Sequence, residues 1–233
     1  GREGGRSKKD PERFAPRVVA TVATPPDRAG FLSLSLHAGA TVSASHRAAA
    51  DPDRVLVVEM NARFPRTFGL PPQHGHCVHM DEIDVLVESD RDPFVLADEV
   101  PTDVERAIAE HVRPFIADGA TLQTGIGGIP STIVRQLATG DGGDYGVHSE
   151  MFTTGLMHLH RAGKVTNRHK GQFAGTSITT FAAGTLELYE WLDGNEDVGF
   201  LPVDVVNAPE MIAANRNMVS INGALAIDLL GQV

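Results

Sequence analysis

"LQTGIGGIPSTIV", residues 122–134, decides the fold class. The strand-like run "ATLQT" ends there. Gly125, Gly127 and Gly128 follow, and then Pro130, Ser131 and Thr132 lead into a helical pattern near 130–138. Glycines at such a point let the backbone turn with its N–H groups facing outward. A strand, a tight glycine turn and a helix make up the βα half of a parallel α/β unit. The turn reads two ways. Either the amides of Gly125, Ile126, Gly127 and Gly128 cradle a phosphate, carboxylate or oxyanion at a helix N-terminus, or a tight strand–helix corner needs small residues. The spacing G-x-G-G is not the dinucleotide G-x-G-x-x-G, and no lysine makes it a P-loop.

Downstream, "YGVHS" (145–149) reads as the next strand and ends at Glu150. In open parallel sheets ligands gather beyond the carboxyl ends of strands, so Glu150 and the glycine turn are expected on one edge. Glu150 reads either as a site carboxylate or as a helper of the helix near 153–162, whose N-terminal dipole favours an acid. His148 lies two residues earlier and shares its face on a strand. It either tunes the carboxylate or bonds a backbone carbonyl. Gln123 either orients a ligand or bonds a neighbouring loop. Ser149 points the other way, with no Ser-His-Asp order around it.

Alternation continues in both directions. "RVVATVA" (17–23), "FLSLSL" (31–36), "RVLVVEM" (54–60) and "EIDVLVE" (82–88) are expected strands, with a helix over "TVSASHRAAA" (41–50). "RVLVVEM" is nearly continuous in apolar residues, as in a strand covered on both faces. "DRDPFVLADEVPTD" (90–103) is polar and carries Pro93 and Pro101, so it reads as a linker. After it, Thr102 and Glu105 form a capping box, Pro114 interrupts the helix and Gly119 suits the stop. "SITTFA", "VGFLP", "MVSIN" and "ALAIDLL" are expected strands. Helices fall near 184–193 and 208–215. The expected organisation is a disordered tail over 1–16, a first α/β domain over 17–95 and a second over 96–233.

Composition sets limits. The 233 residues carry 30 acidic and 20 basic side chains, a formal charge of −10. That argues against nucleic-acid binding, which needs an excess of Lys and Arg. The single cysteine, Cys77, fits a reducing cytoplasm. No apolar run is long enough to span a bilayer, so no membrane partner is expected. "HGHCVH" (74–79) has ligand types that suit zinc or copper, but its spacing matches no strong pattern, and no metal is expected. The chain has no initiator Met and stops just after "DLLGQV". The expectation is a piece of a longer protein.

Several stretches together carry a resemblance: "DGATLQTGIGGIPSTIVRQL", "GVHSEMFTTGLMHL" and "LPVDVVNAPEMIAANRNMVSINGALAIDLLGQV", with "TPPDRAGFLSLSLHAGATVSASHRAA", "VVEMNARFPRT" and "VHMDEIDVLVE" before them. In this order they resemble the acetyl-CoA hydrolase/transferase family, nearest to 4-hydroxybutyrate and butyryl/acetate CoA-transferases. The resemblance implies a CoA-transferase-like fold: predominantly parallel sheets with flanking helices, in two related α/β domains, each incomplete here. It implies transfer of CoA between an acyl-CoA and a small carboxylate such as acetate, butyrate or 4-hydroxybutyrate, through a glutamyl-CoA thioester on Glu150. Gly125 to Gly128 would be the oxyanion or CoA-binding loop, with Gln123 and His148 in support. Coenzyme A would be a substrate, with no permanently bound cofactor. The alternatives are an acyl-CoA hydrolase on the same scaffold and an inactive CoA-binding fragment. A homodimer is the expectation from common symmetry.

Overall fold

The computed structural model describes residues 16–98 and 100–232. Of the expected tail, residues 1–15 lie outside the described residues. The elements in chain order are β1 (Val18–Ala23), β2 (Phe31–Ser33), α1 (Thr41–Ala49), β3 (Val55–Asn61), β4 (Cys77–His79), β5 (Val85–Ser89) and α2 (Asp103–Val112). Then come β6 (Thr121–Thr124), α3 (Gly128–Thr139), β7 (Gly146–Val147), β8 (Met151–Phe152), α4 (Thr154–Arg161), β9 (Ser177–Thr179) and β10 (Phe181–Ala182). The chain closes with α5 (Leu186–Leu192), β11 (Val198–Phe200), α6 (Val203–Val206), α7 (Pro209–Ala213) and β12 (Met218–Ile221).

The fold is α/β. Strand pairing is parallel in β1–β3–β5, β12–β6–β7, β8–β10 and β9–β11, and antiparallel in β2–β4. Parallel pairs need crossover connections, and α1 between β2 and β3 and α3 between β6 and β7 lie on such paths. The two halves of the chain interlock. Phe68 bridges to Gly199, and His37 bridges to Phe181. Leu32, Leu34, Leu56, Leu122, Phe152 and Phe200 belong to one buried cluster.

Three expectations change. "RVLVVEM" has one covered face among the described residues: Leu56 and Val58 are fully buried, while Val55 and the neighbouring Val85, Leu86 and Val87 are exposed. "SITTFA" is two strands rather than one. It breaks at Thr180, whose amide turns to the Glu150 carbonyl (3.0 Å), so β9 and β10 join different partners. "ALAIDLL" is not a strand. Leu225, Leu229 and Leu230 are exposed, and Asp228 Oδ1 accepts from the Leu230 and Gln232 amides at 2.8 and 2.9 Å. An apolar run becomes a strand only where a partner strand or a packed face receives it, and none of the described residues does so here.

The capping box is present. Thr102 accepts from the Glu105 amide (3.3 Å), and Glu105 Oε2 accepts from the Thr102 amide (2.7 Å). α2 stops at Val112, and Pro114 sits in a 3-10 turn over Arg113–Phe115. Thr102→Ala is expected to cost about 1 kcal/mol of stability, read as a lower urea midpoint with unchanged slope.

Two histidines, His76 buried and His160 partly buried, predict an acid limit. Burial pushes His76 and His160 each down to about 4. His76 stacks on Phe200 at 5.3 Å, and His160 lies beside Trp191 at 5.1 Å. Unfolded histidines titrate near ~6.5. Between that value and about 4 the unfolded chain therefore binds more protons than the folded one, and stability falls as pH falls through this window. The urea midpoint should drop on going from pH 7 to pH ~4.5, and His76→Gln should flatten the drop. An equal drop in wild type and variant would contradict this assignment.

Candidate active site

The site builds from the carboxyl ends of β6 and β7. These strands pair in parallel, Thr121 with Gly146 and Leu122 with Val147, so the segments that leave them run side by side. One buried hydroxyl stitches them together. Ser149 Oγ accepts from the Thr124 amide (3.3 Å) and donates to the Met151 carbonyl oxygen (2.7 Å). Thr124 precedes the glycine turn and Met151 follows Glu150, so the main chain at Glu150 and the turn are neighbours.

Glu150 is exposed. Its backbone carbonyl accepts from the Thr180 and Phe181 amides and from Thr179 Oγ1, which fixes the main chain. Its Oε2 accepts from Asn207 Nδ2 at 2.6 Å. It forms no ion pair among the described residues. The helix-dipole reading of Glu150 fails. β8 intervenes, α4 begins at Thr154 after an N-cap at Thr153, and no acid lies in its first turn.

His148 is 1% exposed. Its Nε2 lies 2.8 Å from the Val206 carbonyl oxygen. A carbonyl only accepts, so Nε2 carries the proton. Burial pushes this ring's pKa down and outweighs the Val206 bond, which raises it. His148 thus touches the residue before Asn207, not the carboxylate itself. It pins the end of α6, from which Asn207 reaches Glu150.

The glycine turn divides. The Gly125 amide donates to the Ile221 carbonyl (2.8 Å), which removes Gly125 from the candidate anion donors because its proton is already used. Among the described residues the amides of Ile126, Gly127 and Gly128 have no acceptor. Gly127 has φ +116°, a backbone region that glycine tolerates. Gly128 opens α3 with the Glu105 carboxylate against it; a Cβ there would lie 1.6 Å from Glu105 Oε1. The acid at this helix start is the chain's own. Gln123 joins a network across β6 and β12: its Oε1 accepts from Asn222 Nδ2 (3.0 Å) and from the Ser220 hydroxyl.

A cleft of about 210 Å³ lies on the side of the glycine turn, walled by Ile126, Gly127, Gly128, Ser131, Met151 and Thr153 among others; Glu150 is not one of its walls. The linker supplies another wall through Leu96 to Asp98, held by Leu96 N–H to the Gly184 carbonyl (2.8 Å) and by Asp98 to Arg135 (2.9 Å). The cleft is therefore bounded by the end of the linker and by the segments around β6, β8 and β10. The "HGHCVH" side chains lie elsewhere. His76 Nε2 bonds the Ser35 carbonyl (2.8 Å), and His79 Nε2 bonds that of Ala29 (3.1 Å).

Comparison with known proteins bears on this constellation. Residues 184–233 match the family described as the acetyl-CoA hydrolase/transferase C-terminal domain. The chain is 37% identical over 216 residues to succinyl-CoA:cyclohexane-1-carboxylate CoA transferase of Geobacter metallireducens, covering 92% of this chain and 46% of that protein. The chain is thus similar to proteins of the acetyl-CoA hydrolase/transferase family. Other similar proteins agree. The 4-hydroxybutyrate coenzyme A transferase of Clostridium kluyveri is 36% identical, over 95% of this chain and 49% of its own length. Among solved structures, RipA from Yersinia pestis superposes with a TM-score of 0.86 at 33% identity, over 94% of this chain and 49% of that one. The 4-hydroxybutyrate CoA-transferase of Porphyromonas gingivalis gives 0.84 at 30%, over 94% and 53%. The chain thus spans about half the length of these relatives. Within the described residues no helix is long and apolar enough to cross a membrane.

Sequence reasoning gave no role to Asn207. It lies 57 residues from Glu150, and "VVNAP" carries no local signal for a side-chain contact at that range. Glu105 was legible only as a cap, and its approach to Gly128 depends on how α2 packs on α3.

Proposed function

We propose that this chain carries the nucleophile of a CoA-transferase, with Glu150 as the attacking group. The observation that supports the reading most is the state of its carboxylate. It is exposed at a strand's carboxyl end, held by one neutral amide and used by no ion pair or helix cap among the described residues, on a main chain that runs beside a turn with free amides.

The chemistry needs no net proton transfer. A Glu150 oxygen attacks the thioester carbonyl carbon, the C–S bond breaks, and CoA leaves as thiolate, giving an acyl-glutamyl anhydride. The thiolate then attacks the glutamyl carbonyl carbon and the anhydride C–O bond breaks. The acyl group departs as a carboxylate and leaves CoA on Glu150 as a thioester. A second carboxylate reverses the steps. Each attack builds an oxyanion, for which the unbonded amides of Ile126 and Gly127 are the candidate donors; one such donor is typically worth roughly 10²–10³ in rate. Because a carboxylate nucleophile needs no general base, a buried neutral His148 suits positioning through Val206 and Asn207. The substrates would be an acyl-CoA and a small carboxylate such as acetate, butyrate or 4-hydroxybutyrate, and the site of action the cytoplasm.

Acceptor dependence tests the reading. With acetyl-CoA alone, CoA release should be slow, and added butyrate should start butyryl-CoA formation. Full release with water as the only acceptor, unchanged by butyrate, would replace transfer with hydrolysis.

A further inference from the structure

A second cleft opens at the opposite edge of the same sheet. Gly119, Asp144 and Asn217 line it and precede β6, β7 and β12, so it sits at the amino ends of the strands whose carboxyl ends form the active site. Its volume is about 580 Å³. The chain is acidic overall, yet Arg168, Lys170 and Arg216 line this cleft against two carboxylates, Asp118 and Asp144.

The charges there are unevenly satisfied. Asp144 already has its partners: the Thr166 hydroxyl, His169 Nε2 at 2.8 Å and the Arg168 guanidinium, whose Nε is also at 2.8 Å. The Thr166 bond leads in holding its carboxyl at about 2. Arg168 and His169 are thereby anchored. Asp118 accepts from the Gly143 amide at 3.0 Å.

Lys170 is different. It is 6% exposed, its stem packs over Gly146, and among the described residues its ammonium has one acceptor, the Thr176 carbonyl oxygen at 2.6 Å. No carboxylate lies within ion-pair distance of it among those residues. A buried cation without a counter-ion is costly, and an ammonium has three protons to place. Burial pushes its pKa down to about 7. Arg216 is exposed and also forms no ion pair among the described residues. Two basic side chains without a counter-ion among the described residues thus line one cleft that the proposed chemistry does not use.

We propose that this cleft is a binding site for a phosphate-bearing anion, held by Lys170 Nζ and the Arg216 guanidinium. A phosphate dianion matches two basic groups that lack a counter-ion among the described residues, whereas a monocarboxylate answers only one. The planar guanidinium fork also suits phosphate oxygens. The site is separate from Glu150 and does not rest on the CoA-transfer reading.

Titration calorimetry with inorganic phosphate, against sodium chloride at matched ionic strength and against acetate, tests this. Phosphate should bind and acetate should not. Arg216→Gln, a surface change that leaves the core intact, should weaken phosphate binding about tenfold or more. Lys170→Met should remove it. Phosphate heat no larger than that of chloride would overturn the proposal. So would equal affinity in wild type, Arg216→Gln and Lys170→Met, which would put the anion elsewhere, the glycine turn included.

Discussion

Glu150→Gln is expected to lower CoA exchange by a factor on the order of 10⁴–10⁶, the scale seen when a covalent nucleophile is removed. The substitution is nearly isosteric. Its amide oxygen can still accept from Asn207, and the backbone bonds from Thr180 and Phe181 to residue 150 do not involve the side chain. Folding should therefore survive, as equal urea midpoints would demonstrate. What is lost is the anionic oxygen. An amide oxygen is too weak a nucleophile to open a thioester, so kcat should fall while acyl-CoA binding persists. Steady-state exchange between acetyl-CoA and butyrate, with acyl-CoA binding measured in parallel, checks both halves of the expectation. A variant that exchanges CoA within tenfold of wild type would exclude Glu150 as the nucleophile.

Asn207→Ala should cost roughly 10²–10³ in kcat with little change in KM, the range found when a preorganised hydrogen-bond donor is removed. Asn207 Nδ2 is the one side-chain donor to the Glu150 carboxylate among the described residues, at 2.6 Å. Its base is rigid: the Asn207 amide closes α6 onto Val203 (2.9 Å), and the buried His148 ring holds Val206 (2.8 Å). Without that donor the carboxylate can rotate among conformers, few of which face the thioester, and well-oriented groups owe much of their rate to such restriction. Asn207→Asp should be worse than Ala, because a second carboxylate would sit against the first. If Asn207→Asp matched wild type, the bond would be an incidental surface contact.

What was legible in the sequence was local. The βα turn at 122–134 and the Thr102–Glu105 box each declare themselves within a few residues, because glycine conformations and capping depend on near neighbours. Glu150 was legible as a carboxylate at a strand end, and the resemblance gave it a chemical role. The segments that failed depend on distant partners. β8 is two residues long and exists because β10 pairs with it. Thr180 breaks "SITTFA" because Glu150 and Gly39 draw its polar groups elsewhere, Gly39 N–H reaching Thr180 Oγ1 at 2.9 Å. "ALAIDLL" has strand-like composition and no partner strand among the described residues. Among the site residues, the Gly125 amide was lost to Ile221, a contact across 96 positions that only the β6–β12 pairing creates. Asn207 entered the site for the same reason, through a tertiary contact with no local trace.

The central claim is that the Glu150 carboxylate becomes covalently attached to CoA. Peptide mapping by mass spectrometry after incubation with butyryl-CoA, with no acceptor carboxylate added, tests it most directly. The account predicts a CoA adduct on the peptide that contains Glu150, lost on adding acetate and absent in Glu150→Gln. A protein that exchanges CoA with no adduct at Glu150, or that carries the adduct at another side chain, would contradict it.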